Sequence, residues 1–171
     1  MRYRAGLERT RPREGDVQLV PAEQWIEHAA VAIATIVVTA MVVTLHYEGL
    51  HWLARHYSGR APTRSRAVML RIMFALLALH VVEIGCYGVA YWGLLKIPDT
   101  GFVHGEHGLD TLFDAVYLSA TTYSTLGIGD LAPVGAIRMM VAMESITGLL
   151  LVTWSASFTY LEMSRYWRRE S

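Results

Sequence analysis

Two groups of residues in this chain stand where their chemistry is unusual. The first is Ser124-Thr125-Leu126-Gly127-Ile128-Gly129-Asp130, lying between two apolar stretches. Two glycines alternate with larger residues after a threonine, and glycine reaches positive φ at no steric cost, so successive carbonyl oxygens can turn to one side. Carbonyls so aligned between membrane spans offer what a dehydrated monovalent cation needs in place of its water. The second group is His80 and Glu83, three residues apart and so on one face of any helix that carries them. Glu83 falls near the middle of an apolar run, where an ionisable group costs roughly 2.5–3.5 kcal/mol on insertion scales and marks a functional candidate by default. The pair is either a pH or gating element, or a structural pair bonded to Thr121, Thr122 or Tyr123. The structural alternative is the plainer one.

The elements that must position these residues are apolar and long. The chain has 171 residues, of which 53% are hydrophobic and 18% charged. Soluble domains carry about 25% charged residues. Fifteen basic and fifteen acidic residues cancel, which argues against nucleic acid as a partner. The charges gather at the ends and between apolar segments, the pattern of an integral membrane protein surrounded by lipid. Cys86 is the single cysteine, so no intrachain disulfide exists. It has no evident activating partner, and no Ser/His/Asp or HExxH arrangement is present, so an enzyme is not expected.

Residues 1–21 are polar and Arg-rich. The first span is expected from Trp25 to Tyr47, within a unit at 22–66 that includes a basic connector. About 20 apolar residues cross a bilayer, and this run is just long enough with its flanks. It stands too far from the N-terminus, behind polar residues, to read as a cleaved signal peptide. Glu48 to Arg71 reads as the connector, with Arg55, Arg60, Arg64, Arg66 and Arg71. A second unit covers 67–164: a span from Val68 to Leu95, a loop from Asp99 to Asp110, a short helix from Thr111 to Tyr123, and a third span from Gly135 to Met163. A basic tail at 165–171 carries Arg165, Arg168 and Arg169. Basic loops stay cytoplasmic, so the 124–130 side faces outside and the N-terminus with it. The five arginines before Val20 oppose that, and the alternative is a first helix that does not cross.

The tract TTYSTLGIGD, followed by Pro133 and an apolar helix, resembles the selectivity filter of the potassium channel superfamily, over about Leu112 to Phe158. The resemblance implies an all-α membrane protein: three transmembrane helices plus a re-entrant pore helix and selectivity-filter loop, assembled as a homotetramer. It implies potassium ions at the carbonyls of Thr125, Leu126, Gly127, Ile128 and Gly129, with Tyr117, Tyr123, Ser124 and Asp130 supporting them. It implies no cofactor beyond those ions, and a bacterial inner membrane suits the short chain. Most such filters carry Tyr or Phe where Ile128 stands, so the cuff around the segment is expected to be thinner. A weakly selective cation channel and a non-conducting membrane subunit are the alternatives.

Other residues have bland and sharp readings. Gly148 is either a bend or a close packing point in the third span. Thr147, Leu151 and Ser155 are spaced four apart, so one stripe could line a cavity. Glu144 reads as a structural acceptor, and Trp154 and Phe158 as packing residues. His46, Glu48 and His51 cluster where the first span is expected to end. They are zinc-type ligands, but an interfacial polar cluster is the plainer reading. His104, Glu106 and His107 share that ambiguity, and with Asp99, Asp110 and Asp114 they could form an acidic vestibule. Arginines at regular spacing are absent from the first span, so voltage sensing is not expected. With no ligand-binding domain after Ser164, gating is expected from the membrane, the segment itself, protons or a separate regulatory subunit.

Overall fold

The computed structural model describes residues 25–57, 66–105 and 108–167. The expected N-terminal segment at 1–21, connector arginines Arg60 and Arg64, Glu106, His107, and tail arginines Arg168 and Arg169 lie outside the described residues. The order is α1 (Trp25–Tyr57), α2 (Arg66–Leu94), β1 (Phe102–His104), α3 (Leu112–Tyr123), β2 (Ala132–Val134) and α4 (Arg138–Trp167). α1, α2 and α4 are each long and apolar enough to cross a bilayer. Their apolar residues surround the axis rather than forming a stripe, as lipid on most sides requires. The protein is accordingly a membrane protein.

Two boundaries differ from expectation. α1 runs ten residues past Tyr47, and α2 begins at Arg66, so most of the expected connector is helical. The continuation holds a second apolar face, Leu50 and Leu53, which packs on Ile72 and Leu76 of α2. Hydropathy falls past Tyr47, but burial against a neighbouring helix continues, and packing rather than polarity sets the helix end.

α3 is too short to cross. It starts on a capping box: the Thr111 hydroxyl accepts from the Asp114 amide, and the Asp114 carboxylate accepts from the Thr111 amide. Asp114 is therefore engaged at the helix start rather than free for a vestibule. The residues after α2 and before α4 meet in a two-stranded antiparallel sheet, with Phe102 opposite Val134, Val103 opposite Pro133 and His104 opposite Ala132. Sequence patterning gives no sign of strands this short, and Pro133 would argue against one. In a two-stranded sheet both strands are edges, where proline is tolerated.

The main core surrounds α3. Tyr87, Tyr91 and Leu94 of α2, Ala115, Leu118 and Tyr123 of α3, and Met140 and Leu151 of α4 are buried together, with Val42 from α1. Gly148 lets α4 approach closely: a Cβ there would lie 2.9 Å from the Tyr123 carbonyl carbon and collide with its oxygen. Close packing, one of the two readings of this glycine, is what the geometry displays.

Candidate functional site

The last turn of α3 is held from behind by two buried carboxylates. Glu83 of α2 is fully buried. Its Oε2 accepts from the Tyr123 hydroxyl at 2.5 Å and lies 3.0 Å from His80 Nδ1. Of the three α3 partners weighed for it, Tyr123 is the one it meets. Its Oε1 lies 2.8 Å from Nδ1 of His46, a residue of α1. The expected grouping of His46 with Glu48 and His51 does not form. Because α1 continues to Tyr57, His46 sits inside the bundle, whereas Glu48 and His51 are exposed and His51 stacks on Tyr47.

The second carboxylate, Glu144 of α4, accepts from the Ser119 hydroxyl of α3 at 2.5 Å and from the Tyr91 hydroxyl of α2. It is fully buried, and its role as a structural acceptor follows from those partners. Thr147, Leu151 and Ser155 share a face of α4, but that face is buried within the chain, not turned away from it. Helical spacing identifies residues on one face without saying what the face meets. Ser155 meets the imidazoles: its Oγ is 3.1 Å from His80 Nε2 and 3.5 Å from His46 Nε2. Trp154 is half-exposed and its ring lies 5.5 Å from that of His46.

In front of α3, residues Ser124 to Asp130 are all exposed in the single chain. The amides of Leu126 and Gly127 both donate to the Thr121 carbonyl, at 2.9 and 3.1 Å, which turns the chain sharply out of the helix. Thr125, Gly127 and Gly129 have φ of 57, 50 and 88°, so positive φ occurs at every second residue. Thr125 adopts this region without being glycine, a strain tolerated where the surroundings enforce it. Ser124 bonds backward to the Ala120 carbonyl at 2.7 Å. Among the described residues, the side-chain bond reaching the segment from elsewhere is Tyr117 to Asp130, at 2.9 Å. That carboxylate, accepting from the phenol, holds Tyr117 above its ordinary pKa.

A family model described as ion channel matches residues 79–163. The chain is a member of the potassium channel superfamily. The match begins one residue before His80 and covers α3, the 124–130 segment and nearly all of α4. His46 and the rest of α1 lie outside it. No curated protein and no solved structure matches the chain.

Sequence reasoning brought His80 and Glu83 together but missed His46, Ser155 and the Tyr91–Glu144–Ser119 set. A signal existed for His46. A carboxylate deep in one span needs partners on another, and His46 is one of the two histidines, with His28, that flank the apolar core of the neighbouring span.

Proposed function

We propose that this ion channel conducts potassium-type cations passively, through the carbonyls of Thr125, Leu126, Gly127, Ile128 and Gly129 brought together from four copies of the chain. The observation that carries the reading is the alternation of φ sign along Thr125–Gly129. Alternating left-handed and ordinary residues turn successive carbonyls the same way, and a ring of such strands replaces an ion's hydration shell. One chain supplies one strand, so a ring needs several copies, and the superfamily implies four. In this reading α3 is a re-entrant pore helix whose C-terminal dipole, roughly half a negative charge, points at a central cavity. Irregular backbone at membrane depth requires exactly such a water- or protein-lined setting. Tyr117, Tyr123, Ser124 and Asp130 support the filter, and Gly148 fixes the inner helix against it.

The basic residues favour a cytoplasmic α1–α2 connector and C-terminal tail, with the sheet side outside, in a bacterial inner membrane. Potassium is the transported ion and no other cofactor is required. A separate subunit remains one source of gating.

Purified protein in liposomes should pass potassium down its gradient, with block by barium. Silence across pH and voltage would favour a non-conducting subunit instead. A second reading, a weakly selective monovalent cation pore, is favoured by Ile128. It is 59% exposed and carries no group to hydrogen-bond the helix behind it. Reversal potentials in opposed sodium and potassium gradients separate the two, and a sodium preference would reject the potassium assignment.

A further inference from the structure

His46, His80 and Glu83 come from two helices outside the 124–130 segment, and each offers a ligand atom within 4.8 Å of the others. We propose that these three side chains, with the Tyr123 hydroxyl, form a binding site for one divalent transition-metal ion of the zinc type. The proposal stands apart from conduction and needs none of it.

The donor set has the right character. Two imidazole nitrogens, a carboxylate and an oxygen give four N/O ligands, the number and kind that Zn2+ takes in tetrahedral order. Both Nδ1 atoms face the same carboxylate, at 2.8 Å for His46 and 3.0 Å for His80. The Tyr123 hydroxyl lies 3.0 Å from His80 Nδ1 and 2.5 Å from Glu83 Oε2, which places it as the fourth member. An ion about 2.0–2.2 Å from each ligand would need these atoms to part by roughly 0.3–1 Å, most of it between Tyr123 and Glu83.

The surrounding contacts also match a metal centre. A ligating histidine ordinarily directs its other ring nitrogen to a fixed polar partner, which sets its tautomer. Here both Nε2 atoms address one residue, Ser155 of α4, at 3.1 and 3.5 Å. Proton positions are consistent with and without the ion. Without it, each Nδ1–H donates to Glu83, and the Ser155 hydroxyl donates to His80 Nε2. With it, each imidazole carries its proton on Nε2, and the two lone pairs of Ser155 Oγ accept both. The rings change tautomer and no proton leaves the cluster; without the ion the single Ser155 hydroxyl proton serves His80 and leaves His46 Nε2 without a donor, whereas the ion-bound tautomer gives both Nε2–H groups an acceptor. The side chains of His46 and Glu83 are fully buried, while that of His80 is 16% exposed in the single chain.

The test uses the full-length chain without an affinity tag, purified in detergent and titrated with Co2+ alone. The expected result is the visible absorption of tetrahedral Co2+ at one ion per chain, abolished by stoichiometric Zn2+. His46→Gln and His80→Gln each remove the absorption, while His104→Gln, in the exposed loop, leaves it unchanged. Glutamine keeps an N–H donor toward Glu83, and elution profile and helical circular dichroism check that each variant folds. Ser155→Ala, which removes no ligand, weakens affinity about 10–100-fold and carries the test where a histidine variant misfolds. Failure of the native chain to give tetrahedral Co2+, its persistence in both histidine variants, or unchanged affinity in Ser155→Ala overturns the proposal.

Discussion

Behind the last turn of α3 the chain is finished; in front of it the chain is not. On the rear side, Glu83 of α2 and Glu144 of α4 are fully buried, and between them they engage His46 of α1, His80 and Tyr91 of α2, and Ser119 and Tyr123 of α3. On the front side, seven consecutive residues from Ser124 to Asp130 are exposed, and Leu126 and Ile128 turn large apolar side chains outward at 66 and 59% exposure. Buried polar groups must be satisfied within the chain because lipid offers no partners. An exposed strand with alternating φ has no such closure in one copy. The contrast teaches that the single chain satisfies its support internally and leaves the strand exposed, as the proposed assembly of several copies requires.

The sharpest way to break this contrast is to alter the strand while sparing the support. Gly127→Ala meets no atom within 4 Å, but its φ of 50° lies in the left-handed region, which costs an L-residue about 1–2 kcal/mol. Potassium flux should be lost, while the stability of the detergent-solubilised protein to thermal unfolding drops by no more than that strain. Retained flux would mean that the backbone alternation is not what carries ions.

Altering the support should do the reverse. Glu144→Leu leaves the buried Tyr91 hydroxyl without its acceptor, at about 1–3 kcal/mol, while the Ser119 hydroxyl keeps the Ile84 carbonyl at 2.8 Å. Unfolding temperature should drop clearly, and assembly should fall with it. Gly148→Val drives a side chain into the Tyr123 backbone. Overpacking of this kind costs typically about 1–3 kcal/mol, again read by thermal unfolding, and Gly148→Ala should fall between native and valine.

The smallest effect is expected where the two sides touch. Tyr117→Phe removes the bond to Asp130 and should leave unfolding nearly unchanged while altering the sodium-to-potassium permeability ratio. The sign of its pH dependence follows from the raised phenol pKa. Whatever this bond contributes is fully present below the ordinary tyrosine range and is lost only as pH rises through the elevated value. A difference titration of phenolate absorbance between native protein and Tyr117→Phe should therefore show one tyrosine ionising later than a free one.

Much of this was legible in the sequence because a membrane makes demands that residues display directly. Three apolar runs long enough to cross and a short helix between the last two could be read from hydropathy, and the TLGIGD tract from its resemblance to the superfamily's filter. The i, i+3 spacing of His80 and Glu83 likewise announced their meeting. What escaped was set by contacts between elements distant in sequence. α1 continues beyond Tyr47 because Leu50 and Leu53 find Ile72 and Leu76, so His46 lies within the packed helix pair, where it meets Glu83, rather than at its end. The stripe of Thr147, Leu151 and Ser155 was visible as a periodicity, but its burial depends on which way α4 is rotated. The three-residue strands are fixed by the loops they join rather than by any local preference.

The most direct measurement is a structure of the assembled protein with Tl+ in place of potassium. The account predicts heavy-ion density on a fourfold axis, bracketed by the main-chain oxygens of Thr125 through Gly129. An assembly with no symmetric central conduit, or with Gly127 and Gly129 turned toward lipid, would contradict it.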